Sequence, residues 1–266
     1  MAWIELDGTV NLRDLGGLPT TDGGQIAPGR LLRGDNLDNL SPADVERLVS
    51  GIGLATVIDL RSPREIAVAG PGPLAGVASV RHANFSLLPD SVAAGRRPGG
   101  SSGSAGEDEI LADRMNRAAD RYPADLRCGL YLGYLEDRPG DVVAAVRAVA
   151  ESPGPALVHC AAGKDRTGVV AALALSVAGT RPDAIVADYA ASADRIDAIL
   201  ARLRVNRAYS DAIDGQPTGE QTPRPETMDA FLEQVEARHG GAAQWLADHG
   251  FGADEAVALR TRLRAA

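Results

Sequence analysis

The sequence predicts an α/β fold, a central and mostly parallel sheet flanked by helices, on three observations. Short, nearly continuous apolar runs at residues 31–33, 56–60 and 155–159 have the length and character of strands buried on both faces. Stretches of helical period, opened by caps, lie between them. Apolar residues make up 45% and aromatic residues 4% of the 266, enough for a sizeable aliphatic core in one domain spanning 1–266.

Residues 11–17, Asn-Leu-Arg-Asp-Leu-Gly-Gly, open the domain, and a turn region at 20–24 precedes the strand at 31–33. Arg13, Asp14 and Arg33 are candidates for an ion network at a core edge, read as scaffold. Ser41 is an N-cap with Pro42 at the first helical position, and the helix runs to about residue 50, where Gly51 and Gly53 end it. The strand at 56–60 is followed by Arg61 and by a helix start at Ser62, Pro63, Arg64 and Glu65. Arg61 and Glu65 read either as a helix-start ion pair or, for Arg61, as support for a site at the strand ends. Residues 82–85 form a further strand.

Residues 90–108 are rich in Ser, Gly, Pro and Arg and too poor in apolar groups to order themselves. Helices are expected over 109–122 and 126–135, on either side of Pro123. The whole stretch 90–135 therefore reads as a flexible insertion with a helical lid. Cys128 lies in it as a small apolar residue; a sharper reading pairs it with Cys160 under oxidant. A helix over 141–150 leads into the strand at 155–159. Residues 169–178 are apolar on nearly every side, as a buried helix would be. Helices follow from Pro182 and over 196–205, then a polar loop at 211–225. Three last helices, 227–238, 242–249 and 253–263, are packed by Phe231, Trp245, Leu246 and Leu259.

The chemistry concentrates between the strand at 155–159 and the helix at 169–178, in His159-Cys160-Ala161-Ala162-Gly163-Lys164-Asp165-Arg166-Thr167-Gly168. A strand, a tight loop and a helix start make an anion cradle, because loop amides and free helix N–H groups converge. Cys160 at the loop start faces the positive end of the helix dipole, which favours the thiolate. Arg166 closes the other side with a fork that binds two phosphate oxygens. Thr167 is placed to donate to the sulfur. Lys164 is the only lysine among 27 basic residues, which points to a need for a compact ammonium there.

That stretch resembles the phosphate loop of the protein tyrosine and dual-specificity phosphatases. Its Gly-Lys-Asp-Arg-Thr-Gly form is most similar to a bacterial branch of tyrosine/serine phosphatases with a basic residue inside the loop, as in phosphoinositide phosphatases. Residues 11–17 and 28–33, the Asp-Leu-Arg-Ser run at 59–62 and Asp188-Tyr189 followed by Ser192 resemble the same branch. Gly34 stands where Ser is usual, and Ala193 where Asn is usual.

The resemblance implies a phosphotyrosine-phosphatase-like fold with a helical lid over residues 90–135. It implies a two-step hydrolysis through a cysteinyl phosphate. Cys160 is then the nucleophile, and residues Ala161, Ala162, Gly163, Lys164, Asp165 and Arg166 bind phosphate. His159, Thr167, Asp59 and Arg61 support them. The proton carrier is open between Asp90, on a separate loop as in the wider family, and Asp165 inside the phosphate loop. Substrates are expected to be phosphoproteins, with phosphotyrosine first and phosphoserine or phosphothreonine next. A phosphoinositide substrate, a non-catalytic phosphate-binding module, and arsenate reduction or sulfur transfer with Cys128 as resolving thiol are the alternatives.

A net charge of −9 argues against a nucleic-acid partner. No run is long and apolar enough for a membrane span, and residues 1–10 are no signal peptide. Two cysteines give no disulfide framework, so the cytoplasm is the default, with signal-less export left open by the resemblance. No cofactor and no metal are expected, since no His/Cys/Asp cluster has metal spacing. Oligomeric state is not readable.

Overall fold

The computed structural model describes residues 1–88, 104–213 and 217–265. Asp90 and the first part of the expected insertion lie outside them. Six strands form one sheet in the order β1-β2-β3-β6-β4-β5. They are β1 (Ala2–Trp3), β2 (Arg13–Asp14), β3 (Leu31–Gly34), β4 (Thr56–Asp59), β5 (Arg81–Asn84) and β6 (Ala156–His159). β3, β6, β4 and β5 are parallel, while β1 and β2 add an antiparallel edge.

The apolar runs are continuous because both faces of the sheet are covered. Leu31, Ile58 and Val158 point into one core, with Tyr131, Val146, Leu173, Phe231 and Trp245. Their neighbours Leu32, Val57 and Leu157 point into a second, with Leu12, Leu48 and Leu74. The two-residue period of a strand sends successive side chains to opposite faces.

The helices are α1 (Pro42–Glu46), α2 (Pro63–Ala69), α3 (Ser104–Arg121), α4 (Leu126–Asp137), α5 (Pro139–Glu151), α6 (Asp165–Val177) and α7 (Pro182–Ala190). They continue as α8 (Ile196–Val205), α9 (Ser210–Ile213), α10 (Thr218–Gln221), α11 (Pro225–His239), α12 (Ala242–Asp248) and α13 (Ala253–Leu263). Ser41 and Ser62 open α1 and α2 with capping boxes, and Pro stands in the first turn of each. The helix after Ser41 loosens into a π turn over Arg47–Gly51 before the chain turns at Gly53. Strand β6 sits in the middle of the sheet, and α6 leaves its carboxyl end buried almost all round. Helix α4 is part of the core: Cys128, Tyr131, Leu132 and Leu135 are all at most 2% exposed. The polar stretch after α8 contains α9 and α10, which polar composition hides in the sequence.

Candidate active site

Strand β6 delivers His159 and Cys160 to the carboxyl edge of the sheet, and α6 begins five residues after Cys160, at Asp165. The intervening loop is held by its carbonyls. Ala161 O accepts from Asn36 N at 3.1 Å and Asn36 Nδ2 at 3.2 Å. Ala162 O accepts from Asn11 Nδ2 at 2.8 Å. Gly163 O and Lys164 O both accept from Arg33 Nη2, at 2.8 and 3.1 Å. Among the described residues no protein acceptor meets the amides of residues 161–165. A loop with its carbonyls tied outward and its N–H groups free is an anion-binding nest.

Gly163 makes the turn possible. Its φ is +67°, and a Cβ there would stand 2.4 Å from the Gly34 carbonyl carbon, so the loop lies directly on the end of β3.

Arg33 is held in turn. Asp188 on α7 accepts from Arg33 Nη1 at 2.6 Å and from Arg13 Nε at 2.8 Å. All three are at most 3% exposed. The expected network of Arg13, Asp14 and Arg33 is thus corrected: Asp188 is the shared carboxylate, and Asp14 instead accepts from the amides of Gly16 and Gly29. Opposite charge from two arginines outweighs the burial of Asp188 and keeps its carboxyl below the usual range.

Arg166 is fixed by Glu65. Its Nη1 and Nη2 donate to Glu65 Oε2 and Oε1 at 2.7 and 2.8 Å, a two-pronged pair. Glu65 also accepts from Ser62 N at 2.7 Å, so the α2 cap aims it. Burial opposes its charge, but Arg166 holds its carboxyl below normal. The reading of Arg61 and Glu65 as partners is therefore corrected. Arg61 pairs with Asp59 at 2.8 Å and Asp38 at 2.6 Å. Asp59 ends β4 in register with His159, whose Nε2 lies 3.6 Å away. Burial brings the His159 ring down to about 4, against the pull of Asp59. Thr167 Oγ1 is buried without a hydrogen-bond partner among the described residues.

Asp165 and Lys164 form the third side. Tyr131 OH donates to Asp165 Oδ1 at 2.5 Å, Arg127 Nη1 at 3.2 Å, and Lys164 Nζ lies 3.5 Å from Oδ2. Burial pushes the Asp165 carboxyl up, but Lys164 and Arg127 prevail and hold it at about 2. Lys164 Nζ also donates to the Gln221 carbonyl of α10, and Arg127 to the Glu220 carbonyl. Burial lowers the Lys164 ammonium against the pull of Asp165. Cys128 is fully buried, and burial raises its thiol to about 12.

These groups surround a cleft of about 210 Å³. Cys160, Lys164, Asp165 and Arg166 line one end, and Asp165 is the one carboxylate among the described residues lining it. Ile196, Ile199, Leu200 and Leu203 of α8 make an apolar wall, joined by Tyr209, Tyr134 and Arg114. The sequence reading missed this wall. Its signal was present: positions 196, 199, 200 and 203 are an i, i+3, i+4, i+7 stripe. No other carrier of the loop carbonyls was named as such, because Asn11, Arg33 and Asn36 reach it across 125 residues or more.

Among the described residues no His, Cys, Asp or Glu group is arranged to hold a metal ion, and no helix is long and apolar enough to cross a membrane.

A family model described as the tyrosine phosphatase family matches residues 4–265. The chain is 36% identical to the triple specificity protein phosphatase PtpB of Mycobacterium tuberculosis over 213 residues, 76% of this chain and 74% of that one. It is 29% identical to a putative tyrosine-protein phosphatase of Cupriavidus necator over 248 residues, 92% and 83% of the two chains. A tyrosine-protein phosphatase of Nostoc commune is 34% identical over 122 residues, covering 44% and 42%.

Proposed function

The chain belongs to the tyrosine phosphatase family, and on that premise we propose that its cleft hydrolyses phosphomonoesters through a phosphoryl group carried on Cys160. The observation that carries this reading is the loop itself: carbonyls tied outward on Asn11, Arg33 and Asn36, with Cys160 at its start and Arg166 aimed by Glu65. Free amides and a fixed guanidinium oppose the charge that spreads over three phosphoryl oxygens in the transition state.

In the first step Cys160 Sγ bonds to phosphorus and the bond to the leaving oxygen breaks. That oxygen takes a proton from an acid or from solvent. In the second step water bonds to phosphorus, the S–P bond breaks, and water gives up a proton. Asp165 enters the reaction ionised, since Lys164 and Arg127 overcome burial and hold it at about 2. An ionised carboxylate suits the second step, as base toward water, once the phosphoryl charge beside it raises its proton affinity. Asp90 remains the candidate acid for the first step. An aryl leaving group needs that acid least, and the apolar wall of α8 suits a tyrosyl ring. Phosphotyrosine is therefore the first substrate, with phosphoserine and phosphothreonine slower. Lys164 and Arg114 at the cleft favour a second reading, a phosphoinositide headgroup. For the expected cover over residues 90–135, α3 is the candidate part, because its Arg114 lines the cleft.

Stopped-flow hydrolysis of an aryl phosphate tests the assignment. Asp165→Asn should keep the burst of released phenol and slow steady-state turnover about 100-fold. Asp90→Asn should slow the burst instead, most for alkyl leaving groups. A lost burst in Asp165→Asn would reverse the roles, and parallel assays on phosphotyrosyl peptide, phosphoseryl peptide and phosphoinositide would rank the substrates.

A further inference from the structure

Helix α4 presents two donors to the catalytic loop from one face. Arg127 and Tyr131 are four residues apart, one turn of helix, and both reach Asp165 Oδ1. Tyr131 is fully buried and clamped by rings: Tyr134 stacks at 6.1 Å, and Tyr189 and Phe231 meet it edge-on at 6.1 and 6.0 Å. Its hydroxyl oxygen lies 2.7 Å from that of Tyr189. The direction of this second bond follows from the first. An ionised carboxylate only accepts, so Tyr131 spends its single proton on Asp165 and must accept from Tyr189. The chain of donors runs from Tyr189 through Tyr131 to Asp165.

Packing alone does not call for these hydroxyls, since phenylalanine would fill the same ring positions. A buried hydroxyl is costly unless bonded, and here both are spent in a line that ends on one carboxylate.

We propose that Tyr131, backed by Tyr189, is a positioning residue that holds the Asp165 carboxylate in place for its proton transfer and so sets the lowest pH at which the second step runs. The proposal rests on the reading of Asp165 as the base of that step. Other groups facing Asp165 are Lys164 from the loop, Arg127 from α4, and Tyr134 of α4, whose hydroxyl accepts from Arg114 at 3.2 Å. Burial holds the Tyr131 phenol well above its ordinary value and raises that of Tyr189 as well, so both keep their protons across the working range.

The test is the pH dependence of kcat for an aryl phosphate, read beside the burst. Tyr131→Phe should move the acidic limb of kcat up by about one pH unit, because the carboxylate has lost a donor. The burst rate should stay within about twofold of the parent. Tyr189→Phe should move the limb the same way by less, and serves if Tyr131→Phe folds poorly. In an Asp165→Asn background neither substitution should change kcat further, as expected when two residues act through a third. A limb that stays put in both phenylalanine variants, while Asp165→Asn still slows the second step, overturns the relay and leaves the Asp165 reading standing. Parent-like turnover in Asp165→Asn overturns both.

Discussion

His159, directly before Cys160, makes acid stability a quantitative probe of the fold around the loop. The ring is 2% exposed, and burial outweighs Asp59 to bring it from 6.5 to about 4. The native state therefore keeps the ring neutral where the unfolded chain would protonate it. Stability from this group is complete above about pH 7 and falls as pH drops from 6.5 toward 4, where the native ring also charges. The gap between 6.5 and about 4, at about 1.4 kcal/mol per pH unit, comes to about 3 kcal/mol. About 2 kcal/mol of that is lost by pH 5. Set against a typical total of about 5–15 kcal/mol, this is a large fraction. Urea unfolding at pH 7.5, 6, 5 and 4 measures it, with His159→Gln as reference. Carboxylates elsewhere titrate in both proteins, so the difference between the curves isolates the imidazole. The parent should lose about 3 kcal/mol more than the variant between pH 7.5 and 4. Parallel curves would mean that His159 is not buried as a neutral ring, and the packing drawn between β4 and β6 would be wrong.

Two further outcomes follow from the loop's supports. Glu65→Gln leaves Arg166 with one weakened partner in a nearly enclosed place; kcat/KM should fall about 10- to 100-fold, mainly as weaker oxyanion affinity. Vanadate inhibition constants check it, and an unchanged constant would show that Glu65 does not aim Arg166. Gly163→Ala forces a side chain onto the Gly34 carbonyl at a φ of +67°; it should cost at least about 2 kcal/mol and remove turnover. Thermal unfolding with a turnover assay decides it, and an active alanine variant of parent-like stability would contradict the close approach of loop and β3.

The sheet was legible because its strands are short apolar runs between capped helices. Val57 and Ile58, or Leu157 and Val158, are apolar in succession only because each face of the sheet carries its own core. The strand-loop-helix around Cys160 was legible for another reason: cradle, sulfur and guanidinium are consecutive in the chain. What holds that loop was not. Asn11, Arg33 and Asn36 meet it from the far end of the sequence, and no local pattern marks an asparagine as a carbonyl partner. Glu65 sits four residues from Arg61, so proximity in sequence suggested the wrong pair; the α2 cap turns it across to Arg166 instead. Asp14 was grouped with its neighbour Arg13, although successive residues of a strand face opposite ways and only Arg13 points toward Asp188. Strands β1 and β2 have two residues each, too few for any period to register. The tyrosine line behind Asp165 spans α4 and α7, and α4 fell in a stretch read as a cover rather than as core.

The central claim is a phosphoryl group carried on one sulfur. Rapid acid quench of the protein turning over a labelled aryl phosphate, followed by peptide mapping, tests it most directly. The expected result is a stoichiometric phosphoryl adduct on the peptide holding Cys160, abundant in Asp165→Asn and absent in Cys160→Ser. Turnover without that adduct, or an adduct on any other residue, would contradict it.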